Sequence, residues 1–108
     1  MLCKCPAIYS GHITAQQGFS APTSFDGPAG WTVFKQNQTE IYIVTHNLGL
    51  ANPEHDLHIV ATPKEPYRSL FIAAGPNSFT VQCWQMWAGV EQAPAPSATD
   101  FMFVAVRK

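Results

Sequence analysis

Residues Thr39 to Gly49 read TEIYIVTHNLG, and this stretch decides the fold. β-Branched and aromatic side chains fill its centre, and such residues favour a pleated strand. The strand then meets Asn47 and Gly49, which tolerate the positive φ of a tight reversal. Alternation along the strand gives it two apolar faces, Ile41 and Ile43 on one and Tyr42 and Val44 on the other. Such a strand must be covered twice, once by its own core and once by a second structure.

The last segment of the chain repeats this pattern. Residues Asp100 to Arg107 read DFMFVAVR, with Phe101, Phe103 and Ala105 on one face and Met102, Val104 and Val106 on the other. A two-sheet sandwich with water outside both sheets does not require a second apolar face, so a loop or a subunit interface is expected to cover it. For Ile41 to Val44, we expect one side inside the sandwich and the other under a neighbouring subunit or the Pro-Ala loop.

Strands and turns account for nearly the whole chain. No window shows helical periodicity, and nine prolines and seven glycines divide the sequence into short pieces. The predicted strands are Ala7–Ala15, Trp31–Gln36, Glu40–His46, Asp56–Thr62, Ser69–Ala74, Ser78–Trp87 and Asp100–Arg107. Residues 16–30 and 88–99 are predicted to be irregular, and the Pro-Ala tract in the second is expected to resist ladder pairing. The pattern predicts one all-β domain over residues 1–108, a jelly-roll-like antiparallel β-sandwich of about seven to eight strands, with residues 1–17 as an N-terminal strand or arm.

Charged residues are scarce. They make up 12% of the 108 residues, about half of the ~25% typical of soluble domains. Subunit interfaces are depleted in charge, so the composition favours a homo-oligomer. The alternative is a neutral surface of Thr, Ser, Asn and Gln. A net charge of −1 without a basic run argues against nucleic-acid binding, and the lack of a ~20-residue apolar run argues against membrane insertion. The N-terminus also lacks the apolar core of a secretory signal.

The sequence offers weak candidates for metal binding or catalysis. Cys3 and Cys5 could hold a soft metal with further ligands, but free thiols in a terminal segment are the simpler interpretation. With Cys83 they give an odd number and no disulfide framework. The histidines His46, His55 and His58 lack helical ligand spacing and are interpreted as turn and surface residues. There is no G-x-S-x-G elbow, no phosphate loop and no convincing carboxylate pair, so no cofactor and no enzymatic activity are expected.

Aromatic side chains are the better candidates for binding. Exposed aromatic rings flanked by hydrogen-bonding side chains can stack on sugars. The candidate glycan-binding residues are Trp31, Tyr67, Arg68, Trp84 and Trp87, with Asn77, Gln82 and Gln85 near them in sequence. Trp84 and Trp87 lie on opposite faces of one strand, so at most one can be fully in the core. The alternative is that the tryptophans are core or interface residues.

Five segments carry a pattern of strands and turns: GWTV (Gly30 to Val33), TEIYIVTHNLG (Thr39 to Gly49), IVATP (Ile59 to Pro63), SFTV (Ser78 to Val81) and DFMFVAV (Asp100 to Val106). This pattern resembles the C-terminal domains of bacteriophage tail-fibre and receptor-binding proteins, and the resemblance spans about Gly18 to Lys108. It departs from those domains in its short N-terminus, which has no fibre shaft, and in its Cys-x-Cys start.

The resemblance implies a small β-sandwich, often a homotrimer, at the tip of a virion appendage. We therefore expect a viral structural protein, made in the host cytoplasm, assembled with other virion proteins and involved in recognising a host-surface glycan. Such a protein needs no signal peptide, since phage leave the cell by lysis. The alternative from a different class is a lectin-like carbohydrate-binding module that is not tied to a virion.

Overall fold

The computed structural model describes residues 7–15, 22, 24–36, 40–65, 67–85, 95–96 and 99–107. Within them lie nine strands and one short helix. The strands are β1 (Ala7–Thr14), β2 (Ser24–Asp26), β3 (Thr32–Lys35), β4 (Ile41–Thr45), β5 (Leu57–Pro63), β6 (Arg68–Ala74), β7 (Ser78–Gln85), β8 (Ala95–Pro96) and β9 (Phe101–Arg107), and the helix is α1 (Pro53–Asp56).

Two antiparallel sheets pack against each other. Sheet A has the strand order β2-β1-β9-β5, and sheet B has the order β3-β4-β7-β6 with β8 paired to β7. The chain passes from sheet A to sheet B after β2, returns for β5, crosses again for β6 to β8, and ends in sheet A with β9, beside β1. The predicted all-β antiparallel sandwich is therefore confirmed.

All seven predicted strands are present, with ends that differ by a few residues. Ser78–Trp87 is described as a strand only to Gln85, because Trp87 lies outside the described residues. Two short strands and the helix were missed. β2 lies in the segment predicted to be irregular and pairs with β1. The expectation that the Pro-Ala tract resists pairing was wrong at Ala95–Pro96, which pairs with Trp84 and Gln85. A proline is tolerated there because β8 is short and peripheral.

The core settles which face of each two-faced strand points inward. Tyr42 and Val44 of β4 are fully buried, as is Phe101 of β9. The Tyr42 and Phe101 rings meet edge to face with centroids 5.2 Å apart. Each such side chain contributes about 1.5–3 kcal/mol on full burial. The opposite faces, with Ile43 and Val104, therefore point outward.

Gly11 in β1 is required by a core ring. A Cβ built at Gly11 would lie 2.5 Å from Cε1 and 2.6 Å from Cζ of Phe103. Phe103 in turn stacks on Trp31, with centroids 5.8 Å apart and planes inclined by 7°. The missing side chain thus lets an aromatic cluster pack directly beneath the backbone of β1.

The turn after β4 is joined to the turn before β7. The backbone N–H groups of His46 and Asn47 donate to the Asn77 carbonyl at 2.8 and 2.9 Å, and Gly49 N–H donates to Asn77 Oδ1 at 3.0 Å. Asn47 and Gly49 have φ of 58° and 63°, the left-handed conformation for which Asn and Gly are suited. These residues fix the end of the sandwich rather than form an open site.

Candidate functional site

The outward side of sheet B carries an uncharged, partly apolar surface, which we call face B. It consists of the outward side chains of β3, β4, β7 and β6, all within the described strands: Thr32, Phe34, Ile41, Ile43, Thr45, Ser69, Phe71, Ala73, Ser78, Thr80, Gln82 and Trp84. Phe34 and Phe71 are 55% and 58% exposed. Large apolar side chains in a contiguous uncharged area commonly mark a binding surface.

Strand register sets the neighbours on face B. One row runs Phe34–Ile43–Thr80–Ala73 across the four strands. The next runs Ile41–Gln82–Phe71. Rings and aliphatic side chains therefore alternate with hydroxyl and amide groups, which suits both an oligomer contact and a neutral polar ligand.

The described part of the Pro-Ala tract does not cover Ile41 and Ile43. Ala95–Pro96 pairs with the end of β7 as β8, so it extends sheet B sideways in the plane of the sheet. The rest of the loop, residues 88–94 and 97–98, lies outside the described residues, so both expected covers of the second face of β4, a neighbouring subunit and the Pro-Ala loop, stay predictions.

The four candidate glycan-binding residues that the structure describes differ in burial. Trp31 is 8% exposed and stacks on Phe103, so it packs as a core residue and offers no open ring face. Trp84 is half-buried on face B, directly opposite Ser69. Tyr67 is exposed, with φ of 57°, just before β6. Trp87 lies outside the described residues.

Arg68 is held by its own loop. Its Nη2 donates to Glu65 Oε2 at 2.9 Å, and its side chain is only 13% exposed. Of the polar neighbours expected from sequence, Gln82 lies on face B and Gln85 is the register partner of Arg68. Asn77 lies just before the other end of β7, where its side chain accepts a hydrogen bond from Gly49 N–H in the turn after β4.

Phe71 was missed as a candidate by sequence reasoning. It lies opposite Gln82 and diagonally from Trp84, where cross-strand neighbours about 7–8 Å apart can still touch through long or aromatic side chains. Its signal was the alternation in SLFIAA, where Phe71 falls on the side opposite Leu70 and Ile72. The structure thus brings Trp84, Phe71 and Gln82 to one part of face B.

The outward side of sheet A, which we call face A, carries an exposed aliphatic area with a depression. Its exposed aliphatic side chains are Ile8, Val60, Met102 and Val104. The depression has a volume of about 610 Å³ and extends to His12, Asp26 and Thr62. His12 and Asp26 are register partners on β1 and β2, so the pairing of β2 brings a carboxylate beside an imidazole at one end of the depression.

Buried titratable groups lie at the two ends of the core. Burial raises the pKa of Tyr42, and the nearby Cys83 and Glu40 raise it further. Burial also raises the pKa of the Cys83 thiol to about 12. At the other end, burial lowers the pKa of His46. A fully buried thiol and phenol that stay protonated cannot attack a substrate, so these groups serve the fold.

A hydrogen bond accepted at Nδ1 favours the neutral form of His46, as burial does. Leu48 N–H donates to His46 Nδ1 at 3.0 Å, and the ring packs against Trp31 and Phe79 with centroid distances of 5.6 and 6.3 Å. His55 and His58 are exposed in α1 and β5. Within the described ranges, no group of three or more His, Cys, Asp or Glu side chains could hold a metal ion. Cys3 and Cys5 lie outside those ranges.

No helix among the described residues is long and apolar enough to cross a membrane. No protein-family model matches the chain, and no curated protein or solved structure is significantly similar to it. The class that the structure itself defines is an all-β protein of two packed antiparallel sheets, with an uncharged outer face on sheet B and a largely aliphatic outer face on sheet A that carries Asp26.

Proposed function

We propose that the chain is a non-enzymatic viral structural protein: a homotrimeric β-sandwich knob of a phage appendage or tail fibre that takes part in host-surface recognition. The observation that carries the proposal is face B, where Phe34 and Ile43 lie side by side on β3 and β4, and Phe71 lies on β6 on the far side of β7. The outward side chains of these strands include no charged residue. Exposure of large apolar side chains to water costs free energy, and self-association removes that cost by burying them.

The size of face B favours a ring over a simple dimer. Four strands at about 4.8 Å spacing and six residues at about 3.3 Å rise give a projected area of roughly 400 Å². A stable interface buries about 800 Å² per partner. A two-fold contact uses face B alone, whereas each subunit of a closed trimer makes two contacts, one through face B and one through a second surface, and buries more surface in total.

The energetics of association require more than the two exposed phenylalanines of face B. Phe34 and Phe71 are each slightly more than half exposed, so burying the remainder contributes about 1–1.5 kcal/mol per side chain. Association costs about 4–15 kcal/mol in lost translational and rotational freedom. Two phenylalanines per subunit therefore do not suffice, and the half-buried Ile41, Ile43 and Trp84 must join the contact.

Sedimentation velocity tests the oligomer directly. The wild-type chain should sediment as a trimer, and Phe34→Lys and Phe71→Lys should shift it towards monomer because each places a charge in the contact. Ala51→Lys, at an exposed loop position away from both faces, is the matched control and should remain trimeric. A wild-type chain that stays monomeric at all accessible concentrations would overturn the trimer.

Recognition of virion and host requires separate measurements. Mass spectrometry of purified phage particles should find the chain as a component, and the isolated protein should bind host cells and compete with the phage for adsorption. A chain absent from particles would exclude the viral role.

The second candidate is a lectin-like carbohydrate-binding module, favoured by the grouping of Trp84, Phe71 and Gln82 on face B. A monomeric wild type that binds sugars on a glycan array, and loses binding in folded Trp84→Ala and Tyr67→Ala variants, would support this function over the trimer. Binding unchanged in both variants would exclude these aromatic residues as the platform.

A further inference from the structure

The depression in face A has an aliphatic floor and a polar end. Register places Ser10, Val104 and Val60 side by side across β1, β9 and β5. One step along the strands, His12, Met102 and Thr62 form the next row, and Asp26 of β2 extends it. In the other direction Ile8 and Val106 lie side by side. From Ile8 to His12 the distance along β1 is about 13 Å, at ~3.3 Å per residue.

A second copy of the same face does not fill this depression well. A two-fold contact brings a surface against itself, so two facing depressions would enclose a void instead of packing. The volume of about 610 Å³ falls within the roughly 300–1,000 Å³ typical of small-molecule sites, which combine apolar walls with a few convergent polar groups.

Charge selects the ligand. Asp26 is the carboxylate among the outward side chains of the described sheet A strands, and those side chains include no lysine or arginine. An anionic head group would meet repulsion at Asp26, and Lys64, two residues beyond Thr62, already pairs with Asp100 at 3.7 Å. Hydroxyl groups, by contrast, can donate to the Asp26 carboxylate and exchange hydrogen bonds with the imidazole of His12 and the hydroxyl of Thr62.

We propose that this depression binds an amphipathic molecule with an aliphatic chain and an uncharged hydroxyl-bearing head. The chain lies over Ile8, Val60 and Val104, and the head meets His12 and Asp26. The site uses face A alone, so it is independent of trimer formation through face B, and the failure of one proposal leaves the other standing.

Isothermal titration calorimetry with two matched molecules tests the site, at concentrations below those at which they self-assemble. Monodecanoylglycerol should bind saturably at one molecule per chain, while decanoate, with the same chain length and an anionic head, should bind at least tenfold more weakly. Asp26→Asn should reduce the difference in affinity between the two molecules by strengthening the binding of decanoate. Absence of saturable binding by monodecanoylglycerol, or equal affinity for both molecules, would overturn the proposal.

Two variants test the floor of the site. Val60→Glu and Ile8→Glu lie on different strands, and the parent side chains are 67% and 70% exposed, so the fold should tolerate at least one of them. Each should weaken monodecanoylglycerol binding by about tenfold or more, since each puts a charge against the chain. The control Phe71→Glu on face B should bind as wild type does. Unchanged affinity in a folded face A variant would contradict the assignment.

Discussion

Loss of either partner of the ion pair between Lys35 and Glu40 should destabilise the fold strongly. Lys35 Nζ lies 3.2 Å from Glu40 Oε2, and the two side chains are 0% and 8% exposed. Lys35 ends β3 and Glu40 precedes β4, so the pair closes the hairpin within the core. Lys35 Nζ also lies 5.8 Å from the centre of the Tyr42 ring.

Removing one partner leaves the other charge buried without its counter-ion. Such deletions cost about 3–5 kcal/mol, which is a large part of the ~5–15 kcal/mol that stabilises a domain of this size. Lys35→Met keeps most of the side-chain volume and removes the cation, while Glu40→Leu removes the anion. The double variant Lys35→Met/Glu40→Leu replaces the pair with apolar side chains and should cost less than either single change.

Urea unfolding at pH 7 and one fixed protein concentration measures the free energy of unfolding for all four proteins, with circular dichroism as the signal. The fixed concentration matters because assembly adds to apparent stability. The coupling of the pair would be refuted if each single variant lowered the free energy of unfolding by less than about 1 kcal/mol and the double variant lowered it by the sum of the two single losses.

Three further predictions concern the buried groups and β1. Because burial lowers the pKa of His46, protonation favours the unfolded chain, and the free energy of unfolding should fall as the pH drops below about 6.5. The fall between pH 7.5 and pH 5.5 should be smaller in His46→Asn than in the wild type. An equal fall in both proteins would contradict the assignment. Because burial raises the pKa of Cys83 from 9.0 to about 12, the contribution of the protonated thiol to stability is present below pH 9 and is lost as the pH rises above that value. In a Cys3→Ser/Cys5→Ser background, Cys83 should react with a thiol reagent only after unfolding. Rapid reaction of the native protein would disprove the burial of Cys83. Gly11→Ala should cost about 1–3 kcal/mol by forcing the Phe103 ring to move. Gly30→Ala has no neighbour near its Cβ and should cost only the strain of its φ of 83°. A Gly11→Ala variant that melts at the same temperature as the wild type would rule out the clash.

Local sequence predicted the strands well because alternation and turn residues are short-range signals. Glu40 to His46 and Asp100 to Arg107 both appear as strands with one buried face. The sequence did not say which face of Ile41 to Val44 points inward, since both sides are apolar and the choice depends on packing against sheet A. That choice places Tyr42 inside and Ile43 on face B.

The candidate sites depend on long-range pairing and were less predictable. His12 and Asp26 meet because β2 pairs with β1, and β2 lies in a segment whose Gly and Pro content predicted a loop. Trp31 attracted attention as an aromatic after a turn, but its stacking on Phe103 joins two residues far apart in sequence. The burial of Lys35 likewise depends on Glu40 and not on any local pattern.

The central claim is that face B is covered by further copies of the chain. Sedimentation velocity tests it most directly, with the wild-type chain measured beside Phe34→Lys and Phe71→Lys. The account predicts a trimer for the wild type and for Ala51→Lys, and smaller species for both face B variants. A wild-type monomer, or a trimer that both face B variants leave intact, would contradict it.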